Sequence, residues 1–173
     1  MTIALPFSEI VRINEIGAGL HRRLQPDDAT RARIARTLDL ASLEAFEADL
    51  SLAPAREGWR LSGRILASAV QTCGITLEPL PVAVDERFSV DLVEAAEPVE
   101  TDEIDIAVDD DAPDLIEDGR IDLGQYAVEQ LALTLDPFPR KPGAEFVQPE
   151  EPAEISPFAV LKAFRPVVDP DEG

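Results

Sequence analysis

The chain has 173 residues, enough for one domain with a hydrophobic core, or for one domain and a tail. Its single Cys and single His exclude a disulfide framework and disfavour a metal centre or a His-based acid–base site. No apolar run is long enough to predict a membrane span. Residues 1–10 lack the basic start and the apolar stretch of a signal peptide. We therefore expect a cytoplasmic protein without a metal or cofactor.

Charge is unevenly distributed along the chain, whose formal net charge is −20. Residues 1–64 hold nine basic and nine acidic side chains, whereas residues 65–173 hold six basic and 26 acidic ones. Twelve acids fall within residues 94–118, which contain no base. Such a chain repels nucleic acid on average and attracts basic partners, although a local cluster of arginines can still bind phosphate.

The N-terminal region combines a predicted strand with a predicted helix. Apolar side chains at alternate positions favour a first strand, namely Ile3, Leu5, Phe7, Val11 and Ile13. Pro26 and the two acids after it are typical of a helix start, because acids stabilise the positive end of the helix dipole. The Arg-rich run up to Leu38 is then predicted to be a short surface helix, since it contains few large apolar residues.

Three consecutive segments alternate apolar and polar residues, a pattern that predicts strands with one buried face and one wet face. They cover residues 46–52, 59–69 and 82–92. Turn residues separate them, so we expect an antiparallel β-meander. Helices are the expected cover for its apolar face, which makes the predicted fold class α+β.

An acidic loop is predicted over residues 93–118, within which Ile104, Ile106 and Val108 alternate and form an edge strand. Asp118-Gly119 predicts a turn. Asp122, followed three residues later by Gln125, resembles the capping box that opens a helix. One face of this helix collects the apolar residues Leu123, Ala127, Val128, Leu131 and Leu135.

The domain is predicted to span residues 1–136, because Asp136-Pro137 ends the last helix. Eight prolines fall within residues 137–173. This Pro-rich tail is therefore predicted to be mostly extended or mobile. Its exception is one short helix over residues 157–164, which is able to dock or to bind a partner.

Candidate catalytic and metal-binding groups are few. The consecutive acids Asp109, Asp110 and Asp111 do not match the spacing of a calcium loop, so we interpret the acidic run as solvated. Cys73 has no cation nearby in sequence to activate it, which favours a structural role. No Ser occupies a nucleophile elbow. We expect a protein that is not an enzyme, and a carboxylate-based metal hydrolase remains the alternative from that class.

A cluster of arginines is the strongest candidate for a binding site. It comprises Arg22, Arg23, Arg31, Arg33 and Arg36. Guanidinium groups suit bidentate recognition of phosphate or carboxylate, so these side chains are candidates for contact with RNA or a partner. The alternative is an ordinary solvated face on which some arginines pair with acids of the same chain.

Several short motifs, in one order, resemble those of the YceD-like family, the large ribosomal RNA subunit accumulation proteins. Residues 71–79 read QTCGITLEP, residues 118–123 read DGRIDL, and residues 129–133 read EQLAL. Residues 136–143, DPFPRKPG, are similar to the helix exit of alphaproteobacterial members, and residues 157–161 read PFAVL. The motif residues are Cys73, Leu77, Glu78, Asp118, Gly119, Asp122 and Leu123.

The resemblance implies a non-catalytic ribosome-biogenesis factor that supports the accumulation of large-subunit ribosomal RNA. Its implied partners are that RNA or a pre-ribosomal particle, and a basic ribosomal protein. An alternative is an acidic holdase for a small basic ribosomal protein, without RNA contact. Many relatives carry a second cysteine in the first motif and others after the last helix. Here Thr76 stands at the second position, so a zinc site is not carried over.

Overall fold

A computed structural model describes residues 5–95 and 112–146 of the chain. Within these residues, three helices and seven strands are present. In chain order they are β1 (Ile10–Arg12), α1 (Ile13–Ile16), β2 (Leu20–Leu24), α2 (Asp28–Thr37), β3 (Ser42–Pro54), β4 (Trp59–Thr72), β5 (Pro79–Glu94), β6 (Asp114–Ile116), β7 (Arg120–Asp122) and α3 (Leu123–Thr134).

The main sheet has five strands in the order β2-β3-β4-β5-β6. Strands β2 to β5 pair antiparallel in sequence, and β6 returns parallel to β5. A separate two-stranded sheet pairs β1 with β7. The predicted meander and the α+β fold class are both confirmed.

The core lies on one face of the main sheet, which we call the inner face. Alternate residues of the three long strands point there, so that Leu50, Leu61 and Leu92 are fully buried. Helix α3 covers β4 and β5 on this side, and α2 packs against β3. Burying a large apolar side chain contributes about 1.5–3 kcal/mol, which makes this layer the main source of stability.

The predicted start of the chain is partly wrong. Among the described residues of this segment, only Ile10–Arg12 forms a strand, and Ile13, a predicted strand residue, begins helix α1. The backbone N–H of Arg12 donates to Glu15 Oε2 at 3.3 Å, which favours the turn into the helix. Ile16, at the end of this helix, is buried. The expected strand residue Ile3 lies outside the described residues.

Helix α3 begins where the sequence predicts, with Asp122 as its N-cap. Asp122 Oδ1 accepts from the backbone N–H groups of Gly124 at 3.0 Å and Gln125 at 3.1 Å. The capping box itself is wrong, since the Gln125 side chain donates to Glu129 Oε1 instead. The N–H of Glu9 also donates to Asp122 Oδ1 at 2.8 Å, which ties the N-terminal segment to the helix.

Two predicted elements fall on residues that the structure leaves undescribed. The edge strand at Ile104, Ile106 and Val108 and the short helix over residues 157–164 both lie outside the described ranges. Within those ranges, the edge strand that follows β5 is β6, at Asp114–Ile116. None of the described helices is long and apolar enough to cross a membrane.

Candidate functional site

The fold divides the arginine cluster between two elements. Arg22 and Arg23 lie in β2, and the other three lie in α2. The strand register sets Arg22 beside Leu50 and Arg23 beside Asp49, and cross-strand partners share a face. These two side chains therefore point to opposite sides of the sheet. Arg23 also forms an ion pair with Glu47, with 2.5 Å between Nη2 and Oε1.

Arg31 holds the start of its own helix. Its Nη1 donates to the carbonyl of Pro26 at 2.9 Å, and its Nη2 donates to Asp28 Oδ1 at 2.6 Å. Only 25% of its side chain is exposed. The N-cap Asp27 accepts from the N–H of Thr30 at 2.8 Å, and hydrogen bonds from Thr30 lower the pKa of Asp27. Arg31 is thus committed to the fold rather than available to a partner.

Arg33 and Arg36 lie together on the exposed face of α2. They line a shallow groove of about 350 Å³ whose other walls come from Leu5, Pro6 and Thr37. Arg33 donates to the carbonyl of Pro6 through Nε at 3.3 Å, which fixes the direction of its guanidinium. Among the described residues, no carboxylate lines this groove and no acid forms an ion pair with either arginine. We call Arg33 and Arg36 the α2 basic pair.

The solvent-facing side of the main sheet, its outer face, carries further arginines that lie outside the predicted cluster. Arg60 and Arg64 in β4 each make bidentate bonds to a β5 carboxylate, that of Asp91 and that of Asp85, at 2.6–3.0 Å. These bonds lower the pKa of both carboxyls. The alternation of Arg and Ser along β4 signals this face. Because the pairing is internal, these two arginines neutralise acids of the chain.

The first family motif forms a loop around Cys73, which is fully buried. Its Sγ accepts from the backbone N–H groups of Thr76 at 3.4 Å and Lys141 at 3.3 Å. Hydrogen bonding from the Thr76 side chain, then from the backbone of Lys141, lowers the pKa of Cys73 to about 6. In the described part of the chain, no group of three or more His, Cys, Asp or Glu side chains is placed to hold a metal ion.

The same loop binds the segment after α3, residues 136–146, which we call the exit segment. Lys141 Nζ lies 3.0 Å from both carboxylate oxygens of Glu78, and this cation lowers the pKa of Glu78. The N–H of Gly74 donates to the carbonyl of Pro139 at 2.9 Å. The start of the segment predicted as a tail is therefore joined to the domain by contacts that connect residues far apart in sequence.

The second family motif builds the corner between β6 and α3. Asp118 and Gly119 both have positive φ, 52° and 62°, and the N–H of Arg120 donates to the carbonyl of Glu117 at 3.1 Å. This is the geometry of a tight type I′ turn. Asp122 caps α3, and Leu123 begins it fully buried. These motif residues hold the fold at this corner.

An acidic groove of about 450 Å³ lies beside this corner. Its carboxylates include those of Asp114, Glu117 and Glu129. Tyr126 Oη donates to Asp114 Oδ2 at 3.0 Å, and burial, reinforced by that carboxylate, raises the pKa of Tyr126. The exposed side chain of Leu115 adds an apolar edge. The groove combines features that suit a basic, partly apolar partner.

These elements define an α+β protein with a helix-covered meander and two surfaces of opposite charge. The chain belongs to the family described as "Large ribosomal RNA subunit accumulation protein YceD", whose model matches residues 61–165. The resemblance carried by the motifs is therefore confirmed, and the family name links the chain to the accumulation of large-subunit ribosomal RNA. The α2 basic pair precedes the matched range. Neither a curated protein nor a solved structure matches the chain.

Proposed function

We propose that the chain is a non-catalytic ribosome-biogenesis factor that contacts large-subunit ribosomal RNA, or a particle containing it, through the α2 basic pair. Family membership supports the link to this RNA. The observation that carries the contact is the groove at Arg33 and Arg36, in which two guanidinium groups meet no carboxylate among the described residues. The protein would act in the cytoplasm, where bacterial ribosomes assemble.

The chemistry of the pair suits phosphate. A guanidinium offers several N–H donors in one plane and makes charge-assisted bonds to phosphate oxygens. Arg33 is held by the carbonyl of Pro6 and the hydroxyl of Thr30, so part of the entropy cost of ordering it is met before binding. Two phosphate contacts give a modest affinity with a shallow dependence on salt.

A second candidate function is that of an acidic holdase for a small basic ribosomal protein. The specific observation in its favour is the acidic groove, which sets Asp114, Glu117 and Glu129 beside the exposed Leu115. Basic ribosomal proteins carry many Lys and Arg side chains, and a net charge of −20 would steer them towards this chain.

Sedimentation of cell extracts through sucrose gradients tests the proposal. The double variant Arg33→Glu/Arg36→Glu should lose co-migration with large-subunit precursors, while its melting temperature stays near that of the wild type. The matched control is Arg56→Glu/Arg87→Glu, which makes the same change in charge at two other exposed sites. It should co-migrate normally. Equal loss of co-migration in both variants, or normal co-migration of Arg33→Glu/Arg36→Glu, would overturn the assignment.

The holdase alternative predicts the opposite pattern. Co-migration would survive Arg33→Glu/Arg36→Glu and would fail in the triple variant Asp114→Asn/Glu117→Gln/Glu129→Gln. A purified basic ribosomal protein would then be kept soluble by the wild-type chain and not by the triple variant. That result would replace the RNA contact with a protein contact.

A further inference from the structure

A cleft lies between the Cys73 loop, the end of α3 and the exit segment. Its volume is about 440 Å³, within the range of binding pockets in general. Much of its lining is apolar and includes Leu38, Ile75, Leu135 and Phe138. The cleft is built from the contacts that join the first family motif to the exit segment.

The elements that form the cleft also carry unusually exposed apolar side chains. The four most exposed large apolar residues among those described are Leu77 at 76%, Leu133 at 78%, Phe138 at 76% and Phe146 at 73%. Leu77 moreover has φ of 59°, a backbone conformation that costs an L-residue energy. Of these four, Phe138 lines the cleft itself, and an exposed aromatic side chain at an apolar cleft marks a surface that another chain segment or partner covers.

The chain itself contains a segment of matching chemistry. In residues 157–165, PFAVLKAFR, the helical spacing i, i+3, i+4, i+7 is filled by Pro157, Val160, Leu161 and Phe164. Two cations and no acid occur in this stretch of an otherwise acidic chain. The cleft lining includes two carboxylates, those of Asp39 and Asp136, against one cation. Charge and apolar pattern are thus complementary between the segment and the cleft.

We propose that residues 157–165 form a short helix that docks in this cleft of the same chain. The stretch of chain that leads to this segment starts at the cleft, because Pro139 and Arg140 are part of the cleft lining. The family model continues to residue 165, which is the end of the segment. An eight- or nine-residue helix is marginal alone in water, so a docked apolar face would supply its stability.

Position favours this cleft over the acidic groove. The cleft lies near the start of β5, because its lining residue Thr72 pairs with Pro79. The acidic groove lies near the end of β5, because β6 pairs with Leu92 and the residues after it. At about 3.3 Å per residue, these two ends of β5 are roughly 43 Å apart. A segment tethered beside the cleft meets it at a much higher effective concentration.

Amide NMR spectra of the full chain test the docking through two adjacent positions. Leu161→Asp adds a charge to the apolar face of the segment, and Ala159→Asp adds the same charge to its opposite face. Leu161→Asp should shift the amide signals of Ile75, Leu135 and Phe138, while Ala159→Asp should leave them in place. A synthetic peptide of residues 155–167, added to the Leu161→Asp chain, should return these signals towards their wild-type positions.

Four results would overturn the docking. The cleft signals could be unmoved by Leu161→Asp, or moved equally by both variants. They could also depend on protein concentration in the wild type, which would assign the cleft to a second copy of the chain. A Leu161→Asp effect confined to signals near Leu115 and Glu129 would place the segment in the acidic groove instead.

Discussion

The role of α3 can be tested by truncating its most buried large side chain. Leu131 is fully buried on the face that covers β4 and β5, and Leu131→Ala should cost about 2–5 kcal/mol in free energy of unfolding. For a chain of this size about 1 kcal/mol shifts the melting temperature by roughly 2–4 °C, so the midpoint should fall by roughly 4–20 °C. Leu133→Ala, the same substitution two residues away at an exposed position, should change stability by at most about 0.5 kcal/mol.

Urea unfolding followed by the fluorescence of Trp59 provides the measurement, since it is the sole tryptophan and its backbone pairs with Leu92 in the main sheet. Association with large-subunit particles is measured in parallel by sedimentation. If α3 is a core helix, association falls only as far as folding does. An unchanged unfolding midpoint with lost association in Leu131→Ala would make α3 a recognition helix and would refute the packing argument.

Three further outcomes follow from the geometry. Gly58→Ala should destabilise the fold by more than about 1 kcal/mol, because φ is 84° there and a Cβ would lie 2.0 Å from a β5 carbonyl oxygen. Gly17→Ala, at a position with positive φ but open space around it, should cost less. Equal urea midpoints for the two variants would contradict this. Cys73→Ala should lower the free energy of unfolding by about 1–3 kcal/mol, because two backbone donors lose their acceptor. Cys73→Ser, whose hydroxyl oxygen can still accept, should lose only part of this stability in thermal melts. The pKa values of Asp85 and Asp91 are lowered in the folded state, so their ion pairs stabilise the fold above the unfolded pKa of about 3.9, and this stabilisation is lost as pH falls through the folded pKa. The difference in urea midpoint between the wild type and Asp85→Asn/Asp91→Asn should therefore close in acid. A difference that does not depend on pH would contradict the assignment.

The long strands and the last helix could be predicted because the pattern of apolar and polar residues within each segment shows which side chains are buried. Alternation over residues 46–52, 59–69 and 82–92 reports which side of each strand meets the core, and the apolar face of α3 does the same with a helical period. Local pattern also places the cap at Asp122. In each case the residues that determine the structure lie within a few positions of one another, so a single sequence is sufficient to predict the element.

What escaped prediction depends on residues far apart in the chain. Ile10 pairs with Asp122 in the small sheet, and no local period announces that pairing. Cys73 has no cation near it in sequence, yet Lys141 contacts its loop in the folded chain. The five arginines are close together in sequence, but a strand register and a helix N-terminus place Arg22, Arg23 and Arg31 in separate environments.

The distribution of charge supports the proposed RNA contact of an otherwise acidic chain. Helix α2 packs against β3 near one edge of the main sheet, and β6 with the acidic groove forms the other edge. Three strand spacings separate β3 from β6, about 14 Å. The Debye length at physiological ionic strength is about 8 Å, so acids at the β6 edge oppose a phosphate at Arg33 only weakly. The acids of the groove therefore leave the proposed RNA contact at the α2 basic pair largely unopposed.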